Sequence, residues 1–248
     1  MKNIGKYLTL IKLWFHYQRR NNQPPLYPII LKCDDLNRIS KQVKILDFCV
    51  KCFSIKVSWG IIGKSLQNPT TPYVAWIKKR YATGKYHFFN HGYLHLCDKS
   101  YEFDQQPVSY QRDMLWKTQT LAKEHLGITL NTFGAPANHI DLNTSLALKD
   151  FPEIKYWYYG LKGEDLFPIA LPRSINVEKK VGLIDFAFFK NEWINRPKNP
   201  AGEIITLQMH PNMWHHIQFL QFCVVIAFLR SERAYFITPD DLVKQESL

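Results

Sequence analysis

Residues 26–35 read LYPIILKCDD, an apolar run typical of a buried β-strand that is followed at once by two acidic residues. Such a strand would deliver Asp34 and Asp35 to its carboxyl end, where barrel-type α/β enzymes collect their catalytic groups. Two neighbouring carboxylates cannot both ionise cheaply in a closed pocket unless a cation or separate hydrogen-bond partners divide them. An isolated Asp-Asp pair more commonly caps the next helix, so this stretch predicts a site only if other segments supply matching groups.

Three further segments repeat the arrangement of a β-like run followed by polar groups. They are residues 90–95 (NHGYLH), 132–138 (TFGAPAN) and 207–212 (LQMHPN). Strand-like and helix-like stretches alternate along the whole chain without a sequence repeat, which indicates a parallel α/β architecture. Periodicity alone does not decide between a barrel and an open sheet.

Three stretches carry more specific secondary-structure predictions. Residues 107–126 form the clearest helix, since they open with a proline and end before a glycine. Residues 217–229 predict a buried helix that is too short to span a bilayer. Residues 184–189 are strand-like and lie inside the less regular region 160–200.

The histidines of the second segment suggest a metal site. His91 and His95 are four residues apart, so on a helical turn their imidazoles would project from one face. Two imidazole nitrogens and one carboxylate oxygen make a three-ligand set with positions left for water and substrate, which is typical of catalytic zinc. The spacing alone is a weak signal, but its place after a strand, with Gly92 to let the turn tighten, makes it more specific.

Taken together, the four segments resemble the polysaccharide deacetylase (NodB-homology) family, whose members hydrolyse N- or O-acyl groups from sugars with a bound divalent metal. The resemblance implies an α/β fold of the distorted or incomplete (β/α) barrel type. It also implies a single catalytic domain over residues 26–248, preceded by a basic amphipathic segment at residues 1–25.

The resemblance further assigns roles to five residues of this chain. Asp35, His91 and His95 would bind the metal, and zinc is the expected ion. Asp34 would be the general base and take a proton from the metal-activated water. His210, in the late Leu-x-x-His segment, would be the general acid that protonates the leaving amine or alkoxide.

The third segment departs from the family pattern Phe-Arg-Pro-Pro-Tyr-Gly. Phe133 and Pro136 match, but Gly134 stands where the arginine would be and Asn138 where the glycine would be. The backbone N–H of Ala137 can still hold the oxyanion, because that role needs no side chain. Pro136, Ala137 and Asn138 are therefore the predicted oxyanion and substrate residues.

Two helper groups of the family pattern are not evident in the sequence. The family arginine orients the base, and its replacement must come from elsewhere; the candidates are Asn138, His139 and Lys32. No convincing Asp-Trp segment is present to tune His210, and the weaker candidates are Glu192-Trp193 and Asp185. These gaps place the chain in a divergent branch.

Composition bounds the function more broadly. The 248-residue chain is 46% hydrophobic and can bury one substantial core, which excludes a disordered protein. Its formal net charge of +11 favours acidic partners, although the basic residues are dispersed and a solvated basic surface is an equally simple interpretation. The five cysteines include no metal-type pair of pairs, a pattern that suits a reducing compartment.

The N-terminal segment has two interpretations. It carries Lys2, Lys6 and Lys12 among apolar residues, with Trp14 and Phe15 on its apolar side, and is not followed by a signal-peptide cleavage site. As a basic amphipathic helix it would lie on an anionic membrane surface. The alternative is that the helix packs on the enzyme body.

The sequence therefore predicts a metal-dependent carbohydrate deacetylase of bacterial surface-polysaccharide (lipopolysaccharide or capsule) biosynthesis. Its expected location is cytoplasmic or peripheral on the inner membrane. The expected substrate is a nucleotide- or lipid-linked sugar, whose phosphates the positive charge would suit, and no nucleic-acid partner is expected. Two alternatives stay open: a non-catalytic glycan-binding relative with the same fold, and a basic membrane- or nucleic-acid-associated module.

Overall fold

The computed structural model describes residues 2–18, 24–161, 167–197 and 204–246. The helices are α1 (Lys2–Tyr17), α2 (Lys41–Phe53), α3 (Thr71–Tyr81), α4 (Val108–Leu121), α5 (Leu142–Leu148), α6 (Phe186–Asn195), α7 (His216–Ser231) and α8 (Pro239–Glu246). The strands are β1 (Tyr27–Leu36), β2 (Val57–Ile61), β3 (Tyr86–Asn90), β4 (Thr132–Phe133), β5 (Tyr156–Tyr158), β6 (Ile169–Leu171), β7 (Arg173–Asn176), β8 (Glu178–Lys180), β9 (Leu183–Ile184), β10 (Ile205–Met209) and β11 (Ala234–Ile237).

Two compact units make up the chain, and the division falls within β1. The first unit comprises Met1–Cys33, Ile39–Val57 and Ser174–Ile237. The second comprises Asp34–Arg38, Ser58–Arg173 and Thr238–Leu248. The two acidic residues at the end of β1 therefore belong to the second unit.

In the first unit, β1 lies between two parallel neighbours. Ile29 pairs in register with Ile205 of β10, and Ile30 pairs with Ile237 of β11. The apolar run of β1 is continuous rather than alternating, and Ile29, Ile30 and Leu31 are fully buried. A parallel strand covered on both faces has this composition. The predicted buried helix is α7, which contacts α1, α2, α6 and β11 in the same unit.

In the second unit, the strands follow one another in the order β2-β3-β4-β5-β6. The pairs β3–β4, β4–β5 and β5–β6 are parallel. Phe133 of β4 and Trp157 of β5 are fully buried and share a core with Leu115 of α4. The predicted parallel α/β architecture is confirmed.

The predicted helix at residues 107–126 is confirmed, with a change of pitch near its end. Helix α4 runs to Leu121, and one π-helical turn, Ala122–Leu126, ends at Gly127, whose φ is 70°. The predicted strand at residues 184–189 is wrong after its first residue. Asp185 caps α6 there, because its carboxylate accepts hydrogen bonds from the backbone N–H groups of Ala187 and Phe188.

None of the helices in the described part of the chain has both the length and the apolar character needed to cross a membrane.

Candidate active site

Asp35, His91 and His95 come together in the second unit. Asp35 Oδ1 lies 2.7 Å from His95 Nε2 and 3.3 Å from His91 Nε2. One ligand atom from each residue lies within 4.8 Å of the other two. Two imidazole nitrogens and a carboxylate oxygen converging in this way are a donor set that suits zinc and similar divalent ions.

The two histidines lie in a loop, so the predicted helical turn is wrong. Gly92 and His95 have φ values of 72° and 62°, and the third ligand residue, Asp35, has a φ of 66°. Left-handed conformations are uncommon for residues other than glycine and persist where the surrounding structure enforces them. The ligand geometry therefore depends on the groups that hold this loop.

Glu102 is the group that holds the histidine loop. Its Oε1 accepts hydrogen bonds from the backbone N–H groups of Tyr93 and Leu94 at 2.6 and 3.0 Å. Its Oε2 accepts a third bond from His95 N–H at 2.7 Å. Glu102 is 1% exposed, and a Cβ added to Gly92, whose φ is positive, would lie 2.8 Å from Oε2, so a larger residue there would be strained and would displace the Glu102 carboxylate.

Glu102 was not predicted from the sequence. The available signal was an acid between two aromatic residues, Tyr101 and Phe103, which is an unusual place for a solvated carboxylate.

The orientation of His91 is fixed by the backbone of the third segment. His91 Nδ1 lies 2.6 Å from the carbonyl oxygen of Gly134, which can only accept, so Nδ1 carries the proton. The other ring nitrogen, Nε2, is left to face Asp35. Gly134 thus orients His91 of the candidate metal triad through its backbone, although it lacks the side chain that the family pattern has at this position.

The ionisation of the triad favours metal binding by its carboxylate. Burial acts to raise the pKa of Asp35, but hydrogen bonds and charges from His91 and His95 outweigh it and lower the pKa far below the usual range. Burial acts to lower the pKa of His95, and the hydrogen bond and charge of Asp35 outweigh it and raise the pKa. Asp35 is consequently a carboxylate at neutral pH, the form that binds a cation.

Asp34 precedes the triad carboxylate and is 2% exposed. Its backbone carbonyl accepts a hydrogen bond from Trp59 Nε1 at 3.2 Å. Burial raises the pKa of Tyr159 well above its usual value, the charge of Asp34 adds to that rise, and Arg173 opposes it. Asp34 and Arg173 therefore both act on the Tyr159 hydroxyl, and the Arg173 guanidinium carbon lies 5.8 Å from the centre of the Tyr159 ring.

The contact of Arg173 with Tyr159 is relevant because Gly134 stands where the family has the arginine that orients the base. His139, one of the predicted replacements, stacks on Tyr101 with ring centroids 3.6 Å apart and places Nδ1 3.3 Å from Asp104. Lys32 is fully buried in β1. Arg173, at the start of β7, was not predicted, and its place in the sequence gives no signal of a role.

The predicted oxyanion segment is a single 3₁₀ turn, Pro136–Asn138. Ala137 and Asn138 have φ values of 53° and 58°, two consecutive left-handed residues without glycine. A Cβ added to Gly92 would lie 3.0 Å from Pro136 Cγ, which places this turn against the histidine loop. Strained backbone of this kind often accompanies a functional site.

His210 follows β10 in the first unit and has a buried carboxylate partner, Glu178. His210 Nδ1 lies 2.8 Å from Glu178 Oε2, and Glu178 Oε1 accepts from the His210 backbone N–H at 2.9 Å. Trp214 Nε1 donates to the same Oε1 at 2.6 Å. The Nδ1 proton thus points at a carboxylate, which leaves Nε2 of His210 for proton transfer.

The predicted partners of His210 are corrected by this geometry. Asp185 caps α6, and Trp193 donates its indole N–H to Glu232 at 3.2 Å. Glu178 was missed because it lies on the short strand β8, next to two lysines, in a stretch that resembles an exposed charged turn.

No protein-family sequence model and no curated protein sequence matches this chain. Among solved structures, the chain is similar to the Xyl-CE4 domain of a multidomain xylanase from the hindgut metagenome of Trinervitermes trinervoides. The TM-score is 0.64 at 14% identity, covering 91% of this chain and 93% of that one.

Two further solved structures extend the comparison. A family 4 acetyl xylan esterase from Clostridium thermocellum, in complex with a cobalt ion, gives a TM-score of 0.61 at 15% identity over 89% of this chain and 92% of that one. A mutant of BA3943 from Bacillus anthracis, a CE4 family pseudoenzyme with restored enzymatic activity, gives a TM-score of 0.61 at 12% identity. The match covers 89% of this chain and 69% of that one.

These structures share the CE4 polysaccharide deacetylase fold, so the resemblance predicted from the four sequence segments is confirmed at the level of the fold. The prediction of a distorted or incomplete (β/α) barrel of the polysaccharide deacetylase type is confirmed with it.

Proposed function

We propose that this protein is a metal-dependent hydrolase that removes an acetyl group from a sugar. The observation that carries the proposal is the convergence of Asp35, His91 and His95 beside the buried carboxylate of Asp34. A three-ligand set next to a second buried carboxylate is the arrangement that metal-assisted hydrolysis requires. The CE4 fold supports the same chemistry class.

The metal would be held by Asp35, His91 and His95, and the mixed nitrogen and oxygen donors favour zinc. When bound, such an ion polarises the acyl carbonyl and lowers the pKa of a water molecule. Glu102 and the Gly134 carbonyl would keep the two imidazoles oriented, since groups around the ligands fix ring rotation and tautomer.

The chain's own residues would perform the proton transfers. Asp34, which is buried next to Asp35, would accept the proton of the attacking water. His210, held by Glu178, would donate a proton from Nε2 to the leaving nitrogen or oxygen. The backbone N–H of Ala137 would hold the developing oxyanion.

The biological setting of the reaction is also a proposal. We infer a role in bacterial surface-polysaccharide biosynthesis, in the cytoplasm or at the inner membrane, acting on a phosphate-linked sugar precursor. The net charge of +11 supports a negatively charged substrate.

The test is metal analysis of the purified chain together with acetate release from acetamido sugars and acetylated sugars. One divalent ion per chain and acetate release that disappears in Asp34→Asn would support the proposal, because the amide preserves shape and removes the proton acceptor. Asp113→Asn, which changes a half-buried carboxylate on α4 that pairs with Lys117, is the matched control.

A second candidate function is non-catalytic glycan binding. It is favoured by Gly134, which stands in place of the family arginine, and by the presence of a pseudoenzyme among the structures with this fold. The same experiment separates the two: wild-type protein that binds glycan and releases no acyl group would be the pseudoenzyme.

A further inference from the structure

A cleft of about 470 Å³ borders the metal-ligand residue His95 in the second unit. Its wall is formed by residues just after Asp35, by the start of the turn Gly63–Leu66 and by the histidine loop. The cleft is of the size that binds one sugar unit or a comparable small group.

The charge of this cleft is one-sided. Arg38 and Lys64 line it and are exposed, and no aspartate or glutamate lines it. Within the described ranges, neither the guanidinium of Arg38 nor the ammonium of Lys64 makes an ion pair with a carboxylate. Two cations that share a concave wall without a counter-charge attract an anion.

The positions of both cations are tied to the metal ligands. Gly63 N–H donates to Gly92 O and Lys64 N–H donates to Tyr93 O, both at 2.8 Å, so the turn that carries Lys64 is bonded to the histidine loop. Arg38 follows Asp35 by three residues, which keeps its Cα within roughly 10 Å of that ligand residue. The backbone that carries both cations is therefore held next to the candidate metal triad rather than on a separate surface.

We propose that the cleft binds an anionic substituent, a phosphate or carboxylate, of the sugar whose acyl group is removed. The inference rests on the proposed function for its substrate. Arginine presents a planar fork that matches phosphate and carboxylate oxygens, and lysine adds a point charge. The Asn37 side chain, in the same wall, offers an amide donor and acceptor.

The test compares three substrates with the zinc-loaded full chain: an N-acetylhexosamine, its 1-phosphate and its uronic acid. The wild type should prefer at least one charged sugar, by roughly tenfold or more in kcat/KM. The double variant Arg38→Gln/Lys64→Gln should abolish most of that preference by raising KM for the charged sugar. Whether the phosphate or the uronic acid shows the larger change identifies the anion.

The matched control is Lys78→Gln/Lys79→Gln on α3, which removes the same charge from the same unit and should leave the preference unchanged. Equal kcat/KM for neutral and charged sugars in the wild type would overturn the inference, as would an equal loss in the control. If no sugar is hydrolysed, the proposed function fails. Calorimetry with the sugar 1-phosphate then tests separately whether the cleft binds an anion. Weaker binding in the Arg38/Lys64 variant would then support the cleft, and no binding or unchanged binding would overturn it.

A second inference concerns α1 in the first unit, which has two different apolar faces. Its inner face packs on α7: Leu10 is buried, and the Tyr17 ring makes an edge contact with Phe228 at 5.2 Å between centroids. Leu8, Ile11 and Phe15 are 54%, 41% and 64% exposed. Their spacing of three and four residues places them on one outward stripe.

We infer that this stripe binds an anionic membrane surface. Lys6 and Lys12 on the same helix are exposed, and the net charge of the chain is +11, so the partner is expected to have a negatively charged surface. The apolar stripe requires an apolar layer below that surface. A basic helix with an exposed apolar face inserts at the level of lipid headgroups. The buried face of α1 keeps the helix on the protein while the outer face meets the bilayer.

Vesicle sedimentation tests the inference with phosphatidylcholine alone and with 30% phosphatidylserine. The wild type should bind the anionic vesicles more strongly, and Leu8→Ser/Ile11→Ser/Phe15→Ser should reduce that binding roughly tenfold or more. The matched control is Phe48→Ser/Val181→Ser/Ile194→Ser, three exposed apolar residues on other elements, which should bind as the wild type does. An equal loss of vesicle binding in both variants would overturn the inference. It would also be overturned if the Leu8/Ile11/Phe15 variant bound vesicles as the wild type does and differed only in self-association without vesicles.

Discussion

Two buried glutamates, one in each unit, do similar work by different means. Glu102 of the second unit accepts hydrogen bonds from the backbone N–H groups of residues 93–95. Glu178 of the first unit accepts from a backbone N–H but also from the His210 ring and the Trp214 indole. The first shapes the loop that carries His95 of the candidate metal triad, whereas the second holds the Nδ1 proton of the His210 side chain.

The difference predicts separate consequences for binding and for chemistry. A carboxylate that fixes backbone acts on where a ligand stands, so its loss should appear in metal affinity. A carboxylate that fixes an imidazole acts on which nitrogen is protonated, so its loss should appear in turnover.

The largest contrast should come from the histidines themselves. His95→Ala removes a ligand and should strip the metal, whereas His210→Ala should keep the metal and lower kcat by roughly 10²–10⁴-fold, the range for one general acid–base group. Metal analysis and acetate release on the same preparations measure both effects. If His210→Ala were as active as the wild type, the proposed role of His210 as general acid would be wrong.

Glu102→Gln should weaken metal binding by about 10–100-fold, the range typical of groups that support metal ligands. In the variant, the amide nitrogen of glutamine would face a backbone N–H that donates to the carboxylate in the wild type. The loop would lose hydrogen bonds and gain a contact between two donors. Competition with a chelator measures the affinity. Glu153→Gln, which also removes a carboxylate from the second unit, is the control, and unchanged affinity in Glu102→Gln would contradict the role of the loop.

Glu178→Gln should lower kcat by roughly 10–100-fold while metal content and KM stay near the wild-type values, because the amide can no longer hold the Nδ1 proton of His210 as an anion does. Glu178→Asp, which restores the charge, should recover part of the lost turnover. A variant that loses kcat and folding together, without rescue by aspartate, would indicate a purely structural role.

A third buried polar group, His87, extends the comparison to stability. Its ring lies 2.6 Å from Ser58 Oγ and 2.8 Å from Asn131 Oδ1, and burial lowers its pKa even though Asp240 and Asn131 act to raise it. As pH falls, His87 is protonated in the unfolded chain before it is protonated in the folded chain. The free energy of unfolding is therefore independent of His87 ionisation well above about pH 6.5 and decreases as pH falls below that value.

The wild type should therefore lose up to about 2 kcal/mol more unfolding free energy between pH 7.5 and 5 than His87→Gln does. Denaturant titrations of metal-free protein at both pH values measure the difference, since the triad then contributes equally to both. An identical pH dependence in the two proteins would contradict a neutral, buried His87.

The convergence of Asp35, His91 and His95 could be predicted from the sequence because acidic and histidine residues at strand ends carry a signal. The acid pair after LYPIILKC and the histidine pair after β3 could be recognised without coordinates. The loop geometry around His91 and His95 could not, because a spacing of four is compatible with both a helical turn and a loop held from outside. That loop depends on Glu102, which no pattern connects to it.

The supporting groups were harder to predict for the same reason. Glu178 and Arg173 lie on short strands, and their partners His210 and Tyr159 are distant in sequence. Side-chain contacts between residues that are separated in sequence leave no periodicity in the chain. The strand predicted at residues 184–189 failed because the cap supplied by Asp185 outweighed the β-propensity of an apolar aromatic run.

The central claim is that Asp35, His91 and His95 hold the metal on which hydrolysis depends. Zinc titration of the metal-stripped chain, with acetate release followed at each addition, tests it most directly. We expect no activity before zinc is added, full activity at one equivalent, and neither tight zinc binding nor recovery of activity in His95→Ala. Full activity without metal, or the same recovery in wild type and His95→Ala, would contradict it.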